Sequence, residues 1–133
     1  MAKKKPDVRI RSYGIYTPFD RKSDELPKIL EFTHRVPARV GIEFGMIVNI
    51  RKARGEKMIY RIEHPPFLNE EGDVTPPFVG ETYVPAPDYD FFLGDTIWEP
   101  AEDKVGKWTV SLEIDGDEIA SHSFDVIPED EAE

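Results

Sequence analysis

The sequence predicts an all-β protein, an antiparallel β-sandwich of about seven to eight strands. Apolar residues recur with a period of two along most of the chain. Turn residues interrupt the runs at short intervals, and no stretch is long and periodic enough to read as a convincing helix. With 133 residues the chain has the length of one domain. The expected layout is a basic N-terminal tail over 1–6, a single sandwich over 7–127 and an acidic tail over 128–133.

Taken in order, Val8 and Ile10 share one parity while Tyr13 and Ile15 share the other. A switch at Ser12-Tyr13-Gly14 predicts a bulge there, of the kind by which a first strand passes between sheets. KILEFTHRV then places Leu30, Phe32, His34 and Val36 on one face of a strand ended by Pro37. A helix from Ser23, with Pro27 in its first turn, is the rival for this segment; Phe32, Thr33 and Val36 favour the strand. GIEFGMIVNIRK sets Ile42, Phe44, Met46, Val48 and Ile50 on one parity, the clearest strand of the chain. Arg51 to Glu56 forms a polar turn into KMIYRIEH, and FVGETYV and DFFLGDTIW follow. In KWTVSLEI the inward row is Trp108, Val110, Leu112 and Ile114. Ala120, Phe124 and Val126 continue it beyond Asp115-Gly116. A three-residue loop with Gly116 left-handed pairs even positions with even ones and turns both rows inward.

Between the fourth and fifth of these runs lies HPPFLNEEGDVTPPF, residues 64–78. Pro65-Pro66 and Pro76-Pro77 supply no backbone donors and cannot sit inside a sheet. The segment reads as the way the chain crosses the end of the sandwich, with Asn69 to Gly72 as a turn and Phe67 and Phe78 tucked inward at its ends.

Composition narrows the function classes. There is no cysteine, which excludes disulfides, thiolate metal sites and a cysteine nucleophile and fits a reducing compartment. No apolar run resembles a signal peptide core or a membrane span, so a cytoplasmic protein without membrane contact is expected. Net charge is −10. Residues 1–61 carry 15 Lys/Arg against 7 Asp/Glu, and residues 62–133 carry 2 against 20. Either strands of the two halves interleave and their charges meet locally, or opposite patches support self-association. The acidic half argues against nucleic acid.

Two resemblances follow from quoted residues. Asp103-Lys104-Val105-Gly106-Lys107-Trp108-Thr109-Val110 resembles the stretch leading into strand F of immunoglobulin-type domains, with Trp108 in the place of the tyrosine and Val110 in that of the cysteine. Trp108 is expected to pack under the corner with its indole N–H on a nearby carbonyl. The combination of Val36-Pro37, Gly41-Ile42-Glu43-Phe44-Gly45, His64-Pro65-Pro66 and Gly106-Lys107-Trp108 with a closing Phe124-Asp125-Val126 is similar to an uncharacterised bacterial family of small single domains. The resemblance implies an immunoglobulin-like sandwich and no particular activity.

No nucleophile motif, phosphate-cradling loop or paired metal motif is present, so no catalytic residue and no cofactor is expected. His34, His64 and His122 all fall on inward parities, but without His-x-His spacing they read as hydrogen-bonding histidines rather than metal ligands. Trp108, Gly116, His64, Pro65 and Pro66 are expected to be structural. The leading expectation is a non-enzymatic interaction module acting on a protein partner or on itself as a homo-oligomer. Two alternatives stand beside it. One is small-ligand or carbohydrate binding on an aromatic strip of Tyr83, Tyr89, Phe91, Phe92 and Trp98. The other is a calcium site at Asp88, Asp90 and Asp95.

Overall fold

The computed structural model of the chain describes residues 6–20 and 25–131. It contains nine strands and two short 3-10 turns, Ala101–Lys104 and Glu129–Glu131. The strands are β1 (Asp7–Tyr16), β2 (Ile29–Phe32), β3 (Arg35–Pro37), β4 (Glu43–Arg51), β5 (Lys57–Glu63), β6 (Phe78–Tyr83), β7 (Asp88–Thr96), β8 (Gly106–Ile114) and β9 (Asp117–Ile127). One sheet has the order β2-β1-β4-β7 and the other β3-β9-β8-β5-β6. Neighbours are antiparallel except β3 and β9, which run parallel. The architecture is an immunoglobulin-like β-sandwich. Among the described residues no helix is long and apolar enough to cross a membrane.

The core lies where the period-two rows meet. Phe44, Met46, Val48 and Ile50 of β4 face Trp108, Val110, Leu112 and Ile114 of β8, with Met58 and Ile62 of β5 and Phe124 and Val126 of β9. Burying rows of this kind is the main stabilising term of the fold.

Three expectations need correction. β1 keeps to one sheet: it pairs with β4 along its whole length, and its register shifts between Ile10 and Ser12. The bulge therefore re-aims Tyr13 and Ile15 toward Met46 and Phe44 without moving the strand to the other sheet. The crossing occurs later, because KILEFTHRV is two strands. β2 pairs with β1, the chain turns at Thr33-His34, and β3 pairs with β9. Val36 is buried, whereas Leu30 and Phe32 lie exposed on the sheet edge. Phe32 pairs with Gly14, in the outer row of that sheet, so the parity it shares with Val36 does not carry one face across the turn between sheets. The part of the rival helix at Ser23 and Asp24 lies outside the described residues, as do residues 1–5 of the basic tail and the last two of the acidic one.

The β8–β9 connection is the third correction. Ile114 pairs with Asp117, so the loop is two residues, and both have positive φ, Asp115 54° and Gly116 80°. This is the type I′ geometry that follows strand twist. A register shift after Leu112 then restores Leu112 to Ala120, Val110 to His122 and Trp108 to Phe124. Even residues do meet even ones, through a tight turn and a bulge at Ile119.

Part of the outer face of the four-stranded sheet is also buried. Gly14, Gly45 and Gly94 are cross-strand partners on β1, β4 and β7. Tyr16 packs edge-on against Phe92, centroids 5.0 Å apart, and Phe19 covers Phe92 at 5.1 Å. The Tyr16 hydroxyl shares a 2.7 Å hydrogen bond with Ser12 Oγ. Burial raises the Tyr16 pKa, against the opposing effect of that bond. Glu43 accepts from the Phe19 N–H at 3.2 Å and from Thr96 Oγ1 at 2.8 Å. A Cβ on Gly45 would collide with the Leu93 carbonyl and come within 2.6 Å of the Gly94 Cα, and its φ of 157° further disfavours a side chain. Gly45→Ala is therefore expected to lower unfolding free energy by about 1–3 kcal/mol. Urea denaturation at unchanged slope is the check.

Candidate functional site

The loop between β5 and β6 packs against the β7–β8 connection at one end of the sandwich, and this end holds the most elaborate side-chain arrangement. Trp108 is its base. Its Nε1–H donates to the Lys104 carbonyl at 2.8 Å, so the corner expected from the sequence forms. Around it stand Phe44 at 5.3 Å, His64 at 5.6 Å, Trp98 at 6.1 Å and Phe67 at 6.2 Å between ring centroids. Pro65 occupies the space beside Gly106, where a Cβ would lie 2.6 Å from the Pro65 Cγ.

Phe67 and Phe78 do turn inward, and His64 lies between them, stacked on Phe67 at 4.3 Å and tilted to Phe78 at 4.9 Å. The two ring nitrogens of His64 face carbonyl oxygens, Nδ1 that of Pro65 at 2.8 Å and Nε2 that of Pro76 at 2.9 Å. A neutral ring donates to one of them at a time. The histidine thus ties the two proline pairs together. Beyond Phe67, Asn69 Oδ1 accepts from the N–H groups of Glu71 at 2.9 Å and Asp73 at 3.0 Å, Gly72 is left-handed, and Leu68 bridges Val74.

Lys104 is the residue that sequence reasoning missed. It is 1% exposed. Its ammonium bonds the Asp103 carboxylate and donates to the Pro100 carbonyl at 3.0 Å. It also lies over two rings, 4.5 Å from the Trp98 centroid and 4.7 Å from that of Phe67. A desolvated cation is held there by a carboxylate, a carbonyl and two ring faces. The available signal was that Lys104 is one of two cations after residue 61 and follows Trp98 closely. In front of it opens a cleft of about 520 Å³, bordered by Leu68, Glu70, Trp98, Glu99 and Asp103.

The other expected sites are not assembled as the sequence arranged them. The aromatic strip is dispersed over separate places. Tyr83 is exposed on β6, Tyr89 and Phe91 lie on the inner face of β7, and Phe92 is buried under Phe19 on the outer face. Trp98 belongs to the Lys104 cage. Burial raises the Tyr89 pKa. The three aspartates do not form one ligand set, because residue 95 has the parity opposite to 88 and 90 on a regular strand. Asp88 and Asp90 converge instead on Asn49 Nδ2, at 2.6 and 2.8 Å, with Arg11 on Asp90 at 2.8 Å and Arg51 near Asp88 at 3.5 Å. Among the described residues no three His, Cys, Asp or Glu side chains gather where they could hold a metal ion. His34 and His122 come within 6.4 Å of each other at the crossing between sheets, whereas His64 sits in the aromatic cluster around Trp108.

Residues 4–126 match a family described as a domain of unknown function, DUF3859. The chain belongs to the DUF3859 family. It is also similar in structure to an immunoglobulin-like protein of Pseudomonas aeruginosa, whose crystal structure superposes with a TM-score of 0.71 at 24% identity. The match covers 96% of this chain and all of that one. No curated protein matches the chain. The likeness supports the sandwich and carries no residue role.

Two outcomes are expected. Asp103→Asn leaves the buried ammonium short of its carboxylate and should cost about 1–3 kcal/mol. Lys104→Met keeps the volume, leaves Asp103 in contact with water and should cost less than about 1.5 kcal/mol. Chemical denaturation of the pair tests this order.

His122 supplies the second. It stacks on Tyr13 at 4.1 Å, its Nε2 is buried without a hydrogen-bond partner among the described residues, and burial followed by the His34 charge lowers its pKa from 6.5. A lowered folded pKa means that the unfolded chain binds the proton first. This contribution is complete above pH 6.5 and is lost as pH falls from there through the folded value. Thermal unfolding between pH 7 and pH 5 should show a fall that His122→Phe reduces.

Proposed function

We propose that this DUF3859 domain is a non-enzymatic, cytoplasmic interaction module that meets a protein partner at the loop end of the sandwich. The observation that carries the reading is the pair Leu68 and Val74, each 61% exposed and bridged to one another. Aliphatic side chains displayed on a turn fixed by Asn69 and His64 form a preformed contact surface. Around them Glu70, Glu71, Asp73 and Glu99 make no ion pair among the described residues. A partner with basic and apolar side chains complements that surface.

A second reading, small-ligand binding, rests on a cleft of about 490 Å³ between β6 and β7, lined by Phe19, Tyr60, Phe78 and Phe91 with Glu81 at its rim. Its size suits a small organic molecule.

Photo-crosslinking residues placed at Leu68 or Val74 in the producing cell test the first reading. A discrete adduct is expected at both positions, absent from a Ser123 control and lost in Glu70→Lys/Glu71→Lys/Asp73→Lys. Equal labelling at all three positions would sink it. For the second reading, a ligand at a hundred times its dissociation constant adds ~2.7 kcal/mol, a melting shift on the order of 10 °C. A sugar or metabolite producing such a shift would favour the cleft.

A further inference from the structure

Four strands end the two sheets: β2 and β7 in one, β3 and β6 in the other. Three of them are defended. β2 has four residues, β3 has three and ends in Pro37, and β7 carries Asp88, Asp90 and Asp95. β6 differs from β2 in length, six residues against four; like β2 it has a single charged residue, Glu81, and exposes apolar side chains, Val79 at 54% and Tyr83 at 62%.

Its backbone is also open. Just beyond β6, Val84 spends both groups inward: its N–H donates to the Glu56 carbonyl at 3.0 Å and its carbonyl accepts from the Gly55 N–H at 2.8 Å. Along an antiparallel strand the direction alternates, so the N–H and C=O groups of Val79, Glu81 and Tyr83 point away from β5. No described strand pairs with that edge.

We propose that β6 is a self-pairing edge, through which two copies of this chain join β6 to β6 antiparallel and form one continuous sheet across a two-fold axis. The inference is independent of the loop-end reading. A two-fold perpendicular to the sheet keeps outward residues opposite outward residues, so the axis falls on a residue. Centred on Glu81, it sets two carboxylates face to face, which is destabilising. Centred on Val79 or on Thr82, it draws Pro77 or Pro85, which have no N–H, further into the ladder. Centred on Gly80, it places Val79 opposite the partner's Glu81. Arg61 is the cross-strand neighbour of Val79 and has no ion pair among the described residues. It therefore lies in the row that receives the partner's Glu81. Charge complementarity selects the Gly80 register.

Pairing also closes. Pro76-Pro77 and Pro85 bracket the strand and limit the overlap. The joined sheet ends on both sides in β3, three residues long and terminated by Pro37, so assembly stops at two copies.

Sedimentation equilibrium of the full chain is the test. The wild-type mass should rise with concentration, across the micromolar to millimolar range, from 15.3 kDa toward twice that value. Glu81→Pro removes an N–H that the monomer leaves unused; it should remain at the monomer mass with its melting temperature little changed. Should that variant not fold, Val79→Glu sets a carboxylate opposite the partner's Glu81 on both sides of the axis and should abolish association equally. Because the chain has no cysteine, register can be read directly under air oxidation: Val79→Cys mixed with Glu81→Cys should form a disulfide, and Val79→Cys mixed with Tyr83→Cys, which a Glu81-centred axis would set opposite each other, should not. A wild type fixed at the monomer mass would overturn the proposal. So would a dimer that survives Glu81→Pro, and a Val79→Cys that links to Tyr83→Cys would overturn the register.

Discussion

Trp108 is the residue on which the two sheets and the long loop jointly depend. It belongs to β8, meets Phe44 of the opposite sheet edge to face, and carries Phe67, His64 and Trp98 on its remaining sides. Its one polar atom is satisfied by the Lys104 carbonyl. That bond fixes the 3-10 turn Ala101–Lys104 and so decides where the Lys104 side chain goes. Pointed back among the rings, the ammonium loses water and gains Asp103, the Pro100 carbonyl and two aromatic faces. The rings around Trp108 thus contribute to the core and to the retention of a buried charge together.

The two outer faces of the sandwich have been treated differently. On the four-stranded sheet, a row of glycines lets Tyr16 and Phe92 lie close to the backbone, and Phe19 covers them. On the five-stranded sheet, Ser121, Ser123 and Arg61 remain exposed, and Thr109 and Ser123 share a 2.9 Å hydrogen bond across the strands. Charge follows the same division of labour. The pairs Arg11–Asp90, Arg39–Glu129, Arg51–Asp88 and Lys57–Glu81 each join a cation of the first half of the chain to a carboxylate of the second. The asymmetry along the sequence is therefore partly cancelled in space, although exposed pairs of this kind contribute little each. Arg39 also draws in Glu129, so the start of the acidic segment is turned against the domain as a 3-10 helix.

Much of the fold was legible because burial on a strand has a two-residue period that survives in the sequence. The inward rows of β4 and β8 followed from it, whereas the corner at Trp108 followed from the resemblance to immunoglobulin-type domains and the inward turn of Phe67 and Phe78 from the proline pairs that bracket the loop. Parity is silent about what lies over a face. Leu30 and Phe32 share a parity with Val36, yet only Val36 has a sheet above it. Phe92 points outward by parity and is buried because residues distant in sequence cover it. Parity also cannot distinguish a three-residue loop from a tighter turn followed by a bulge, since both restore the same inward rows at the β8–β9 hairpin. The candidate site was partly visible in His64 and its prolines. Lys104 was not: Trp98, Pro100 and Asp103 lie within six residues of it, but the 3-10 turn and the approach of the distant Phe67 are what gather them around the ammonium.

The proline pairs explain why the loop end can be both long and rigid. Proline withholds backbone donors, so this segment cannot extend the ladder of β5 and β6. Order has to come from side chains instead. His64 bridges Pro65 and Pro76, Asn69 holds the N–H groups of Glu71 and Asp73, and the Thr75 N–H closes onto the Phe67 carbonyl at 2.9 Å. The tip bearing Leu68 and Val74 is fixed before any encounter, which lowers the ordering cost of contact there. Its aliphatic side chains gain little from the domain's own core, because the same bonds that fix the turn hold them away from it. An apolar tip on an acidic rim is costly to leave in water and adds little to the packing beneath.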